Sequence, residues 1–415
     1  MTNKNIYFFE IITEELPITD FRSIKKTLEK KLIINIQKIV KNLITFTLYV
    51  SIRRITFILR YKSKDIIDLK KIIENVFENT KFNTNMRWNA NKNTFIRPLK
   101  SYILLHNDLH VKHKLFDINS TENTIPIKYK KKIYIKPNIR HYKQFLQHKC
   151  KIFCDIKDRK RILKKNILKY RKKIDAIPII NKLTIENIAN SFEYPSFIIL
   201  NFENFKYQLP NKIIIKIISQ YFCVPFIKNQ KVHSALLVLD AIKKKHIDKE
   251  YTAAIKNKLN DLEKLYTAEK NTLKNKSIKN VIKITDEPSL YNKIKNLILL
   301  SKKIKKLTFT KSNELNKCII TLQLESLTRF HNEFPEFHGL LLTKKHISKI
   351  LNDYNRSLQN KIPQTRIGAI LLLINNLDHI IHTFDNQEEP TAKKDPHNFK
   401  KKILIIIKTI LKHKI

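Results

Sequence analysis

Apolar residues recur along this chain with two periods, and the change from one to the other divides it. Ile6 to Ile12 is an apolar, β-branched run, which predicts a strand. Phe21 to Leu43 carries apolar residues at helical spacing, and Phe46 to Arg60 reads as two strands joined at Ile52-Arg53. Ile66 to Phe77 returns to a helix, and residues 95–135 read as short strands between polar turns. From 141 to 176 the pattern predicts a basic helical tract, with Ile162, Leu163, Ile167 and Leu168 on its apolar side. Residues 183–232 close a first α+β region. A polar, Lys-rich helical stretch follows from 248 to 310, and 312–415 is helical throughout. The expected class is α+β: a mixed N-terminal region (1–235), a helical linker region (236–311) and an all-helical C-terminal region (312–415). No internal repeat marks the chain, and its prolines are scattered rather than clustered.

Composition narrows the class. A chain of 415 residues is long enough for two or three domains with full cores. Lys and Arg outnumber Asp and Glu by 82 to 36, a formal net charge of +46. Such a balance suits a polyanionic partner such as RNA. It is equally what compositional drift produces in an AT-rich genome, where Lys, Ile and Asn accumulate and Gly disappears. Four cysteines, at 150, 154, 223 and 318, lack the spacing of a disulfide framework or a zinc site, and read as buried neutral thiols in a reducing compartment. Glu10, Glu14 and Glu15 are unlike a targeting peptide, and runs such as Ile403 to Ile407 are too short to cross a bilayer. The expectation is a cytoplasmic protein with no membrane partner.

Met86-Arg87-Trp88, then Phe95-Ile96-Arg97-Pro98 leading into Tyr102-Ile103-Leu104-Leu105, holds the one tryptophan and sets two arginines about a polar turn from Asn89 to Thr94. Guanidinium groups there suit phosphate or carboxylate ligands; the plain alternative is a hairpin with solvated arginines and a core Trp. The stretch resembles the MRW…FxRP segment of the β subunit of the bacterial tetrameric glycyl-tRNA synthetases. Phe8-Phe9-Glu10-Ile11-Ile12-Thr13-Glu14-Glu15-Leu16-Pro17 resembles that family's LLEIGTEELP, and Ser51-Ile52-Arg53-Arg54-Ile55 its TPRRL. Phe192-Glu193-Tyr194-Pro195 is similar to VEWP, and Leu209-Pro210 with Gln220-Tyr221-Phe222 to LP…QKYF. Glu333-Phe334-Pro335-Glu336-Phe337-His338-Gly339 resembles EFPELQG. Gly368-Ala369-Ile370 through Asn376-Leu377-Asp378 is similar to GAVLALADKLD, and Pro390 to Pro396 to PTGSKDP. The blocks fall in the family's order from residue 8 to 396.

Both glycines of the chain, Gly339 and Gly368, lie inside these blocks, where a side chain should not be tolerated. Elsewhere the family's glycines are replaced, by Ile12 before the TEELP motif and by Asn89 after Trp88. A histidine-rich family segment is reduced to Ile127-Lys128-Tyr129-Lys130-Lys131-Lys132. The resemblance implies an anticodon-binding domain beyond the last block, and the expectation is a C-terminally shortened subunit without it. It also implies that the last helical region is a degenerate HD domain. Asp378 could stand for the distal metal ligand, but none of the fourteen histidines is followed by Asp. His331, His338, His379 and His382 are then expected to be packing or surface groups.

With two glycines, neither a P-loop nor a Rossmann fingerprint can be written. The resemblance places ATP, Mg and glycine in a separate α subunit, so this chain is expected to hold no cofactor and no catalytic residue. It is expected to bind tRNA-Gly within an α2β2 heterotetramer. The alternative is a decayed RNA- or protein-interaction remnant of that subunit. Candidate tRNA contacts are Arg53, Arg54, Arg87 and Arg97, and Lys157, Arg159, Lys160 and Arg161 of the basic tract, where the plain alternative is a solvated helix face.

Overall fold

The computed structural model describes residues 4–40, 43–62, 68–82, 84–88, 94–126, 135–203, 205–240, 246–275, 288–308, 312–341, 345–358, 361–385, 395 and 398–415. Asn89, the 127–132 tract and most of the 390–396 block lie outside the described residues. The chain forms two compact units, one of residues 1–205 and 211–255, the other of 206–210 and 256–415. The first is α/β with antiparallel sheets, the second helical.

The first unit opens with β1 (Lys4–Thr13), α1 (Phe21–Ile39), β2 (Leu43–Val50), β3 (Arg54–Lys62) and α2 (Lys70–Glu78). Short strands β4 (Met86–Arg87) and β5 (Thr94–Phe95) precede β6 (Leu99–His106) and β7 (Leu109–His110), and β8 (Lys114–Leu115) pairs with β9 (Ile118–Asn119). The main sheet has the order β2-β3-β1-β6-β7, with β1 in the middle. Side chains alternate faces along a strand, so Tyr7, Phe9 and Ile11 pack against α1 and α2. Helix α1 meets them with Phe21, Ile24, Leu28, Leu32 and Ile36, one helical stripe. Phe8, Ile58, Ile103 and Leu105 point the other way, onto Tyr142, Leu146, Cys150 and Ile152.

The 141–176 tract is not one helix. A short α3 (Tyr142–Phe145) runs into a π-helical turn, Lys151 takes left-handed backbone (φ 56°), and α4 (Ile156–Ile174) starts afresh. Asp155 caps α4 by accepting from the Lys157 N–H at 2.9 Å. There follow β10 (Ile177–Pro178), α5 (Lys182–Ser191), β11 (Pro195–Asn201), α6 (Asn211–Gln220), β12 (Cys223–Lys228) and β13 (Lys231–Asp240). The four strands form a second antiparallel sheet in the order β10-β12-β13-β11. Leu163 and Ile167 of α4 and Ile188 of α5 pack on its Val224, Phe226, Leu236 and Val238. β13 crosses residue 235 as an inner strand and runs on to Asp240.

A chain with almost no glycine must build its tight turns from other residues. The β6–β7, β8–β9 and β12–β13 hairpins turn on Asn107-Asp108, Phe116-Asp117 and Asn229-Gln230, all at positive φ. Left-handed backbone costs a side-chain-bearing residue roughly 1–2 kcal/mol. Lys151→Gly should therefore raise the stability of the first unit by about 1 kcal/mol. A urea midpoint that stays put or falls would show that the lysine side chain stabilises this turn.

Helix α7 (Ile247–Asn275) leads on to α8 (Pro288–Thr308), α9 (Ser312–Glu325), α10 (Arg329–Glu333), α11 (Lys345–Leu358), α12 (Arg366–Asp385) and α13 (Phe399–His413). Among the described residues α12 alone is long and apolar enough to cross a membrane by length and composition. Its Ile370 to Ile374 are instead the middle of the helical core, among Leu315, Ile319, Leu351 and Ile406.

Both glycines sit where a Cβ has no room. At Gly339 (φ 81°) it would come within 2.8 Å of the Leu351 side chain, and at Gly368 within 2.7 Å of Asp353 Oδ2. The buried Glu325 carboxylate fixes the Gly339 turn, accepting from the N–H groups of Gly339 and Leu341. Asp353 fixes the other, accepting from the Gln364 and Thr365 N–H groups and the Thr365 hydroxyl. Gly339→Ala is expected to destabilise the helical unit by about 2 kcal/mol, through backbone strain and the clash together. An unchanged thermal midpoint would mean that Leu351 yields freely.

Candidate nucleic-acid interface

Three of the sequence blocks meet at one end of the main sheet. The Glu14 N–H donates to Pro98 O (3.0 Å), Leu16 N–H to Ile52 O (2.7 Å) and Thr13 N–H to Arg53 O (2.9 Å). These bonds tie the residue 13–17 turn to the 51–54 and 95–98 turns, and so gather the arginines that lie far apart in the chain. Arg53, 34% exposed, binds Glu15 and lies 3.5 Å from Asp240. Burial opposes its charge, but Glu193, Glu15 and Asp240 together hold its pKa above the ordinary value. Arg97 is steered by Nε donating to Glu15 O at 3.0 Å, with Nη1 3.6 Å from Met86 Sδ. Arg87, next to Met86 on β4, is exposed. Trp88 packs on the core edge-on to Phe116, with ring centroids 5.4 Å apart, so its role is structural.

Arg54 does not share this surface. Its neighbour Arg53 faces outward, and Arg54 points inward to a fully buried Glu10, with Nη1 2.7 Å from the carboxylate. Arg54 also donates to Thr124 Oγ1 (2.6 Å) and Ile125 O (2.7 Å), while Thr124 and Tyr142 donate to Glu10. Burial opposes the Arg54 charge, and Glu10 beside it more than restores it; burial also pushes the Tyr142 hydroxyl well above its ordinary pKa. Arg54 therefore binds within the protein and presents nothing to a surface ligand. The Phe192–Pro195 block packs nearby: Ser51 donates to the buried Glu193 carboxylate, and Tyr194 N–H donates to Asp240 at 2.7 Å.

The α4 candidates divide in the same way. Arg159 is wholly buried, donating to the carbonyls of Ala189, Phe153 and Cys154, and burial lowers its pKa. It continues the stripe of Leu163 and Ile167 and acts as a core group. Lys157 and Arg161 are exposed, Arg161 pairing with Asp158 at 3.1 Å, and the half-buried Lys160 pairs with Glu186 at 3.4 Å.

All four cysteines are buried, and burial raises their thiols, Cys150 to about 11 and Cys154, Cys223 and Cys318 to about 12, so they stay neutral at physiological pH. In the helical unit Asp378 lies 3.7 Å from Lys293, and His379 Nε2 3.1 Å from Lys402 Nζ. The His331 and His338 rings pack against each other, tilted by 34°, with centroids 4.4 Å apart. Among the described residues no three His, Cys, Asp or Glu side chains are grouped to hold a metal ion.

The sequence model of the glycyl-tRNA synthetase beta subunit family matches residues 62–415. The chain belongs to that family. The glycine–tRNA ligase beta subunit of Buchnera aphidicola from Schizaphis graminum is 28% identical over 382 residues, covering 85% of this chain and 55% of the relative. Those of Thermodesulfovibrio yellowstonii and Aquifex aeolicus are 23% and 24% identical, over 83% and 82% of this chain and 54% of each relative. The chain thus spans about half the length of the curated relatives it matches. In this beta-subunit family member the turns at 13–17, 51–54 and 95–98 together build one end of one sheet.

Proposed function

We propose that this chain works as the β subunit of a glycine–tRNA ligase, binding tRNA-Gly and pairing in the cytoplasm with an α subunit in an α2β2 assembly. ATP, Mg and glycine are handled by that α subunit. The family match over residues 62–415 carries the reading. The arginine-bearing end of the main sheet and the excess of 82 basic over 36 acidic residues support its RNA half. Arg87 and Arg97 are the surface contacts of choice, because a guanidinium holds a phosphate through two parallel N–H bonds, whereas the Arg53 Nη1 and Nη2 already face Asp240 and Glu15.

Arg87→Ala and Arg97→Ala are each expected to weaken tRNA-Gly binding by roughly 1–3 kcal/mol. Titration of labelled tRNA with the folded variants reads this directly. Unchanged affinity in both would assign these arginines to the architecture of the turn.

A further inference from the structure

Helix α4 carries a second feature that the arginine cluster does not explain. Lys157, Arg161, Lys164, Leu168 and Lys172 are exposed at successive helical turns and share one face, about 22 Å long. No carboxylate occurs in the sequence between Asp158 and Asp175. At its C-terminal end this rail opens into a groove of about 540 Å³ between α4, β10 and the β12–β13 turn. Its apolar lining is Leu168, Ile177 and Ile227, of which Leu168 and Ile177 are 55% and 63% exposed. Arg171, Lys172 and Lys228 also line it, with Asp175 3.9 Å from Lys228 Nζ.

We propose that this rail and groove bind a single-stranded stretch of RNA. The backbone lies along α4, and an unpaired base rests on Leu168, Ile177 and Ile227. The inference deepens the RNA-binding reading above and rests on it. Two properties of the surface select this occupant. Cations at four of five successive turns on one helix face suit a polymer with a charge on every residue. One apolar patch at the end of that rail suits the flat face of a base, which is uncovered only in an unpaired strand. An acidic amphipathic peptide would need apolar contacts spaced along the rail, where only Leu168 offers one.

The test uses the full chain and fluorescence anisotropy with an oligouridine of about 12 nucleotides and a blunt RNA duplex of equal length. Wild type should prefer the oligouridine. Ile177→Ser and Leu168→Ser, which change no charge, should each lower oligouridine affinity about tenfold while leaving duplex binding within about twofold. Lys164→Ala/Lys172→Ala should weaken both probes and flatten the salt dependence. Ile403→Ser, an exposed apolar position in the helical unit, serves as a control and should change neither; a loss equal to that of Ile177→Ser would overturn the site. Oligouridine binding unaffected by Ile177→Ser and Leu168→Ser, in a chain that still binds tRNA-Gly, overturns the groove and leaves the RNA reading standing. A chain that binds none of the RNAs overturns both. Displacement of oligouridine by an acidic amphipathic peptide at equal charge concentration would make a protein segment the occupant and overturn RNA.

Discussion

Glu10→Leu is expected to cost the first unit about 3–5 kcal/mol. The carboxylate is fully buried at the centre of the main sheet and is the anion that ion-pairs with the buried Arg54, with the buried Glu193 adding a weaker attraction. Removing it takes the ion-pair partner from a guanidinium in the core and removes the acceptor of the Thr124 hydroxyl and of the Tyr142 hydroxyl, which keeps only Thr56. Removing both charges should be far milder. Glu10→Leu/Arg54→Met is expected to recover most of the loss, since a buried pair and an apolar pair of similar volume are often close in energy. Trp88, the sole tryptophan, packs on this unit's core and reports its unfolding by fluorescence. A Glu10→Leu midpoint in urea within about 1 kcal/mol of wild type would contradict the assignment of this pair as the pivot of the sheet.

The helical unit should fail in acid, and His338 is the reason. Burial, then the neighbouring His331, pushes its pKa down from an ordinary 6.5 to about 3. The unfolded chain therefore takes up a proton near pH 6.5 that the folded chain refuses until about pH 3. Stability from this group is complete above pH 6.5 and declines as pH falls through that window. By pH 5 the loss is about 2 kcal/mol, and it grows below that. His338 has its backbone N–H and carbonyl bonded to Asn355, so protonation acts on a fixed turn. Helical circular dichroism melts at pH 7 and pH 5 read the effect. His338→Gln, which places there the residue of the family's EFPELQG motif, should remove a large part of the acid sensitivity. Equal acid sensitivity in that variant would move the cause to other groups.

Which parts of this structure were legible in the sequence follows from the range of the forces involved. The strand, helix and paired-strand order of residues 6–60 came through, because period-two and helical stripes are local. The two glycines were legible because a chain that has shed nearly all of them keeps one only where a Cβ clashes. Arg53 and Arg54 were not separable as ligand contacts. Arg53 lies in the turn before β3 and Arg54 opens the strand, and the buried Glu10 beside Arg54 decides which of them turns inward. A signal did exist: a carboxylate inside an apolar run needs a buried cationic partner. Arg159, expected among the tRNA contacts, is buried instead, although its spacing to Leu163 and Ile167 continues one helical stripe. The break at Lys151 had no local signature, since a left-handed lysine is held by the turn around it.

The reading of this chain as a β subunit is tested most directly by charging. The glycine-specific α subunit is assayed with tRNA-Gly and ATP, with and without this chain. The account predicts glycyl-tRNA formation only when both are present, and none from this chain with ATP and glycine alone. Charging by the α subunit at the same rate without the chain would contradict it.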